Sequence, residues 1–82
     1  MIRVLYFASL RERLGCTDET LQASPATLAG LRADLAARGG AWAEVFATEQ
    51  RVLAAINQEM AAVDQPLREG DEVGFFPPVT GG

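Results

Sequence analysis

The residues with the clearest chemical potential close the chain: Pro77-Pro78-Val79-Thr80-Gly81-Gly82. Gly82 offers a carboxylate. Gly81 has no Cβ, so the pair can thread a channel too narrow for other residues and bring that carboxylate against a partner's backbone. The two prolines remove two backbone donors and push the residue before them toward extended geometry, so the segment is expected to leave the domain as a stiff spacer. Fully extended, it would reach about 20 Å at roughly 3.3 Å per residue, far enough to enter a neighbour's active site. Gly-Gly alone also describes a frayed end. Here it follows the apolar run Glu72-Val73-Gly74-Phe75-Phe76 with no polar linker between, which favours a reactive terminus.

The rest of the chain is poor in catalytic groups. There is no histidine, and Cys16 is the single cysteine, so metal coordination and histidine-based catalysis lack their usual residues. Cys16 follows Gly15 in a turn and reads either as a small structural cysteine or as a reactive thiol in a persulfide relay. Only Arg11 and Arg13 stand near enough in sequence to lower its pKa, which favours the structural reading. The carboxylates are scattered, with no isolated pair in an apolar setting. Net charge is −4 and every basic residue is arginine, at 3, 11, 13, 32, 38, 51 and 68. No basic stripe exists to neutralise phosphates, so nucleic-acid binding is not expected. Without lysine, the chain has no side-chain amine to accept an isopeptide bond. It is expected to donate chemistry through its terminus rather than to catalyse.

The elements that must position this terminus fit one small domain: 82 residues, 49% hydrophobic and 22% charged, can bury a single modest core. No apolar run is long enough for a membrane span, and the strand-like Ile2-Arg3-Val4-Leu5-Tyr6-Phe7 starts at once, so neither a span nor a signal peptide is expected and the cytoplasm is the expected location. After that strand, Ala8 to Leu14 reads as a short helical or irregular segment closed by Gly15. A weaker strand is expected from about Glu19 to Ala23. The main helix begins near Pro25-Ala26-Thr27, with Thr27 or Ser24 as N-cap, and runs to Arg38, where Gly39-Gly40 stops it. Leu28, Leu31 and Leu35 form its buried stripe, and Arg32, Asp34 and Arg38 point away. Gly30 marks either close packing or a tolerated weakness. Ala41 to Phe46 reads as a second short helix supplying Trp42 and Phe46 to the core, with ligand stacking by Trp42 as the alternative. Val52–Ile56 and Met60–Val63 form a hairpin around Asn57-Gln58-Glu59. A turn at Leu67–Asp71 leads to the last strand, Glu72–Phe76. The fold class is α+β, one sheet packed by a single face on one main helix.

Such a sheet leaves its other face open, and side-chain alternation predicts what lies there. Arg3 marks Arg3, Leu5 and Phe7 as the outward set of the first strand, and Glu72 does the same for Glu72, Gly74 and Phe76 of the last. Phe7 and Phe76 are then exposed aromatics beside the tail, an apolar docking surface, unless loops or the hairpin cover both rings.

The run from Asp64 to Gly82, with its Gly70-Asp71-Glu72-Val73 and Phe75-Phe76-Pro77-Pro78-Val79 segments, resembles the C-terminus of the small, sulfur-carrying subunits of molybdopterin synthase. Val4-Leu5-Tyr6-Phe7-Ala8 with Arg11-Glu12 and Gly15, and Leu53-Ala54-Ala55-Ile56-Asn57-Gln58, are similar to the same family. The likeness covers nearly the whole chain, and its terminal motif is far more specific than Gly-Gly, which every ubiquitin-like carrier shares. It implies a ubiquitin-like β-grasp fold, a mixed sheet on one main helix, with residues 1–76 as the domain and 77–82 as a protruding tail.

The resemblance also implies a chemistry. A carboxylate is a poor electrophile at neutral pH, so it must be activated first. In the family an adenylyltransferase related to ubiquitin-activating enzymes does this with ATP and Mg²⁺, and a persulfide donor then yields a thiocarboxylate. The tail enters the large subunit, which receives the sulfur onto cyclic pyranopterin monophosphate. By position, Gly82 bears the thiocarboxylate and Gly81 lets it pass. Phe7, Met60 and Phe76 match apolar partner contacts, and Pro77, Pro78, Val79 and Thr80 belong to the inserted tail. No cofactor is expected on this chain itself. A complex of two small and two large subunits is expected, with the catalytic pocket in the large one. A related carrier for thiamine thiazole synthesis or tRNA thiolation, and a non-covalent ubiquitin-like interaction module, are the alternatives.

Overall fold

The computed structural model describes residues 1–22, 25–47 and 51–78. Five strands form one mixed sheet in the order β2-β1-β5-β3-β4. The first strand, β1 (Ile2–Tyr6), lies antiparallel to β2 (Asp18–Leu21) and parallel to β5 (Glu72–Phe76). On its other side β5 pairs antiparallel with β3 (Leu53–Ile56), which turns into the two-residue β4 (Glu59–Met60). Three helices, α1 (Ser9–Leu14), α2 (Leu28–Ala36) and α3 (Gly40–Val45), complete the set. This is the β-grasp arrangement, with the first and last strands side by side and parallel at the middle of the sheet.

Alternation decides the layers. Ile2, Val4 and Tyr6 of β1 and Val73 and Phe75 of β5 are buried, and they meet the α2 stripe Leu28, Leu31 and Leu35. Burying about a dozen such side chains, each stabilising by roughly 1.5–3 kcal/mol, is what offsets the ordering of so short a chain. Phe46 joins the core from beyond α3, edge-on to Phe75 with centroids 5.0 Å apart. Trp42 is half-buried, edge-on to Tyr6 at 5.3 Å and stacked on Phe46, so its ring is a core-edge group rather than a free ligand platform.

The helix termini show how local and distant residues share one task. A helix leaves its first N–H groups without internal partners. In α2 the hydroxyl of Thr27 accepts from Gly30 N–H, while Leu28 and Ala29 donate to the carbonyls of Gln65 and Val63. That second role explains why the hairpin is shorter than expected: after Met60 the chain leaves the sheet to reach the helix. Ser24, the other candidate cap, lies outside the described residues. A Cβ on Gly30 would meet Pro25 and Thr27 at 3.5 Å, an ordinary contact, so Gly30 is a tolerated weakness rather than a site of close packing.

Two arginines depart from expectation. Arg32 does not point away: its Nε and Nη2 donate to the carbonyls of Phe46 and Ala47, fastening α2 to the end of α3. Arg38 lies past the end of α2 with its guanidinium 4.4 Å from the Trp42 ring centre, a cation–π contact. The second strand starts at Asp18, one residue earlier than expected, because Asp18 pairs with Leu5 in register and its carboxylate accepts from Arg3 at 2.7 Å. It runs to Leu21, and Ala23, its expected end, lies outside the described residues. Among the described residues no helix is long and apolar enough to cross a membrane.

Candidate docking face

The face of the sheet turned away from the helices is built in cross-strand rows. In one row Leu5, Gly74, Ala55 and Met60 stand opposite one another across β1, β5, β3 and β4, with Asp18 of β2 at the far end. In the next row, Phe76 faces Leu53, and Phe7 stands just beyond the end of β1. The row on the other side is polar: Thr20, Arg3 and Glu72. Neighbouring strands lie about 4.8 Å apart, so the central row crosses roughly 20 Å of surface. The apolar side of this face is the side on which β5 hands over to Pro77 and Pro78.

Phe7 is 45% exposed and Met60 65%, so both are open to a partner as expected. Phe76 is half-buried on the same outward face, and Pro77 and Pro78 are half-buried too. The alternative, that loops or the hairpin cover both rings, is not what the structure has. Val79, Thr80, Gly81 and Gly82 lie outside the described residues, so what is expected of them rests on sequence.

Phe7 is held from several sides. Its N–H donates to the Phe75 carbonyl at 3.0 Å, prolonging the β1–β5 pairing by one bond, and its carbonyl accepts from Leu10 N–H at 3.2 Å. Between them Ala8 adopts φ 54°, ψ −132°, the conformation of the first central residue of a type II′ turn, where glycine is the usual choice. An alanine there carries strain of roughly 1 kcal/mol or more, and it stands next to the exposed ring. The ring itself leans over Gly74, its Cε2 lying 2.8 Å from where a Cβ on that residue would be. Neither Ala8 nor Gly74 stood out as a site residue in the sequence. The available signal was a glycine in the middle of a strand, which often marks a close approach.

The titratable groups lie elsewhere. Glu19 accepts from Tyr6 Oη at 2.8 Å and from both terminal nitrogens of Arg38 at 2.9 and 2.8 Å. The Arg38 guanidinium holds the Glu19 carboxyl below the usual carboxylate range against the opposing effect of burial, with the Tyr6 hydroxyl assisting. Burial and the Glu19 carboxylate push the Tyr6 phenol up, keeping it a neutral donor. Burial pushes the Cys16 thiol up as well, with Glu19 adding to it, and its Sγ contacts the Asp18 carbonyl at 3.4 Å. Arg11 and Arg13 are not what sets this pKa. A protonated, half-buried thiol is no nucleophile at neutral pH, which supports the structural role over the persulfide relay. Among the described residues no group of three or more His, Cys, Asp or Glu could hold a metal ion.

Comparison with known proteins places the chain. The sequence pattern of the ThiS family matches residues 4–82. The molybdopterin synthase sulfur carrier subunit of Escherichia coli strain K12 is 45% identical over 82 residues, covering all of both chains. Among solved structures, SAMP1 from Haloferax volcanii superposes with a TM-score of 0.78 at 28% identity, covering 99% of this chain and 98% of that one. Subunits 1 and 2 of the molybdopterin-converting factor from Helicobacter pylori have been solved as a protein–protein complex. The matching chain of that complex has a TM-score of 0.66 at 26% identity, with 99% of this chain and 97% of that one covered.

Proposed function

The chain belongs to the ThiS family, and we propose from that premise that it is the sulfur carrier of molybdopterin synthase, with the Gly82 carboxylate as its working group. The observation that carries this reading is the end-to-end likeness to a sulfur carrier subunit, joined to a sheet whose apolar, exposed side lies where β5 passes into the tail. A carrier needs a surface that docks and a terminus that reaches beyond it, and the two are adjacent here.

In the proposed reaction the Gly82 carboxylate attacks the α-phosphate of ATP·Mg²⁺ in an adenylyltransferase, releasing pyrophosphate and leaving an acyl adenylate. The outer sulfur of a persulfide donor displaces AMP to give an acyl disulfide. A thiol then attacks the donor's sulfur, breaking the S–S bond so that the terminus leaves as a thiocarboxylate and the thiol and donor end as a disulfide. This chain binds no cofactor of its own in that scheme. The face bearing Phe7, Met60 and Phe76 docks on the large subunit, Pro77 to Thr80 carry the terminus inward, and Gly81 passes the narrowest point. The large subunit takes the sulfur onto cyclic pyranopterin monophosphate. The H. pylori complex supports a partner of that kind, and the cytoplasm is the proposed location.

Intact mass of the protein isolated from its native host tests the assignment. A fraction should carry sulfur in place of one oxygen, mapping by fragmentation to Gly82, and chains lacking Gly82 or extended beyond it should carry none while folding normally. A Gly82-deleted chain that still passed sulfur to the pterin would exclude the carrier role.

A further inference from the structure

We propose that Gly74 is a specificity-determining position of the docking face, because its missing side chain is the seat of the Phe7 ring. The proposal rests on the partner reading above and deepens it.

Gly74 occupies the centre of β5, itself the middle strand of the sheet, with Leu5 on one side of it and Ala55 on the other. A glycine there weakens the strand, and no turn demands it: unlike Gly15, Gly39, Gly40 and Gly70, Gly74 does not have a positive φ. Those four also face open space where a Cβ would be. At Gly74 the space is taken. A Cβ there would stand 2.8 Å from Phe7 Cε2, 3.7 Å from Cδ2 and 3.8 Å from Cζ. The edge of the ring fills the position a side chain would have.

Phe7 cannot relieve such a clash through its backbone, which is fixed by the hydrogen bonds to Phe75 and Leu10 and by the turn at Ala8. The ring must rotate away instead. Reaching ordinary contact at 3.4 Å takes about 0.6 Å of movement (3.4 minus 2.8 Å), and the exposed ring is free to make it on its solvent side, where the partner docks. With glycine the ring lies low, and the row Leu5–Gly74–Ala55–Met60 keeps a shallow middle between two large side chains. Interface cores pack as tightly as protein interiors, so a displacement of this size changes which partner surface fits. Gly74 touches the partner little or not at all in this account. It acts through Phe7, as a positioning residue.

The test uses the full chain, the variants Gly74→Ala, Phe7→Ala and the double variant, and the molybdopterin synthase large subunit from the same genome as the probe. In the free protein, a Gly74 α-proton should be shifted downfield by the ring edge and lose that shift in Phe7→Ala, and Gly74→Ala should move the Phe7 ring resonances without lowering the melting temperature appreciably. In calorimetric titration Gly74→Ala should weaken binding about tenfold, a change typical of a disturbed interface anchor. In the Phe7→Ala background the same substitution should change affinity less than about twofold, a coupling that a purely structural effect of the glycine would not produce. Equal losses in both backgrounds, unchanged binding by Gly74→Ala, or an unshifted Gly74 signal would each overturn the inference while leaving the carrier role standing. A wild-type chain with no affinity for the large subunit would overturn the partner reading and this inference with it.

Discussion

Glu19 sits under the edge of the sheet as the acceptor for three donors, two on Arg38 and one on Tyr6, and its carboxyl is held below the ordinary value of 4.5. The folded state therefore binds this proton less readily than the unfolded chain does. Its stabilisation is complete above that ordinary value and is lost as the pH falls through the lower folded one. Glu19→Gln should cost roughly 1 kcal/mol at neutral pH, discounted because Arg38 is about one-third exposed (35%), and the deficit should narrow as the pH is taken well below 4.5. Urea unfolding at the two pH values checks it; a deficit that grew on acidification would contradict the sign. On the other side of the sheet the outcome should divide by exposure. Phe7→Ala and Met60→Ala should each weaken binding to the large subunit by something like 1–4 kcal/mol and leave melting nearly unchanged, whereas Leu31→Ala, in the core, should lose about 2–5 kcal/mol of stability. Calorimetry on the same samples measures both, and a Phe7→Ala chain that unfolds would place that ring in the core instead.

At the scale of elements, the hairpin between β3 and β4 turns on Asn57 at φ 51° and Gln58 at φ 71°, the left-handed pair of a type I′ turn. Asn57 is well chosen, since it tolerates this region and its side chain accepts from Glu72 N–H and donates to Asp71. Gln58 has neither merit. Gln58→Gly should raise stability by roughly 0.5–1 kcal/mol, read as a higher melting temperature with unchanged partner binding. What the sequence showed at this scale follows from range. The alternation of β1 and β5, the Leu28–Leu31–Leu35 stripe and the open sheet face were legible because periodicity is local. The early start of β2 depends on the Arg3–Asp18 pair, and the truncation of β4 depends on loop carbonyls that cap α2, so both needed the tertiary structure. The Glu19 network was hidden for the same reason: its partners lie 13 and 19 residues away. Phe7, Met60 and Phe76, two exposed and one half-buried, were singled out by parity and resemblance, while the Gly74 seat was not, because it exists only once Phe7 is folded over it.

For the molecule as a whole, the decisive property is a division of labour. The chain has no histidine and burial pushes its one thiol's pKa up, and on the carrier reading it supplies the sulfur while a partner activates the substrate. Sulfur transfer from a thiocarboxylate needs cationic groups to hold the terminus and the substrate's phosphate, in a site closed to water that would hydrolyse the acyl intermediate. On the carrier reading those come from the large subunit. Thiocarboxylated protein alone should therefore leave cyclic pyranopterin monophosphate unchanged, and addition of the large subunit should yield molybdopterin with return of the carboxylate form. Because a dithiolene contains two sulfurs and each Gly82 delivers one, the product should approach one molecule for every two thiocarboxylates consumed. A symmetric assembly of two small and two large subunits is the expected arrangement. Single-turnover quantification of pterin and of both protein forms tests the division. Turnover without the large subunit would place a catalytic site on this chain, and a ratio near one to one would require a second sulfur source.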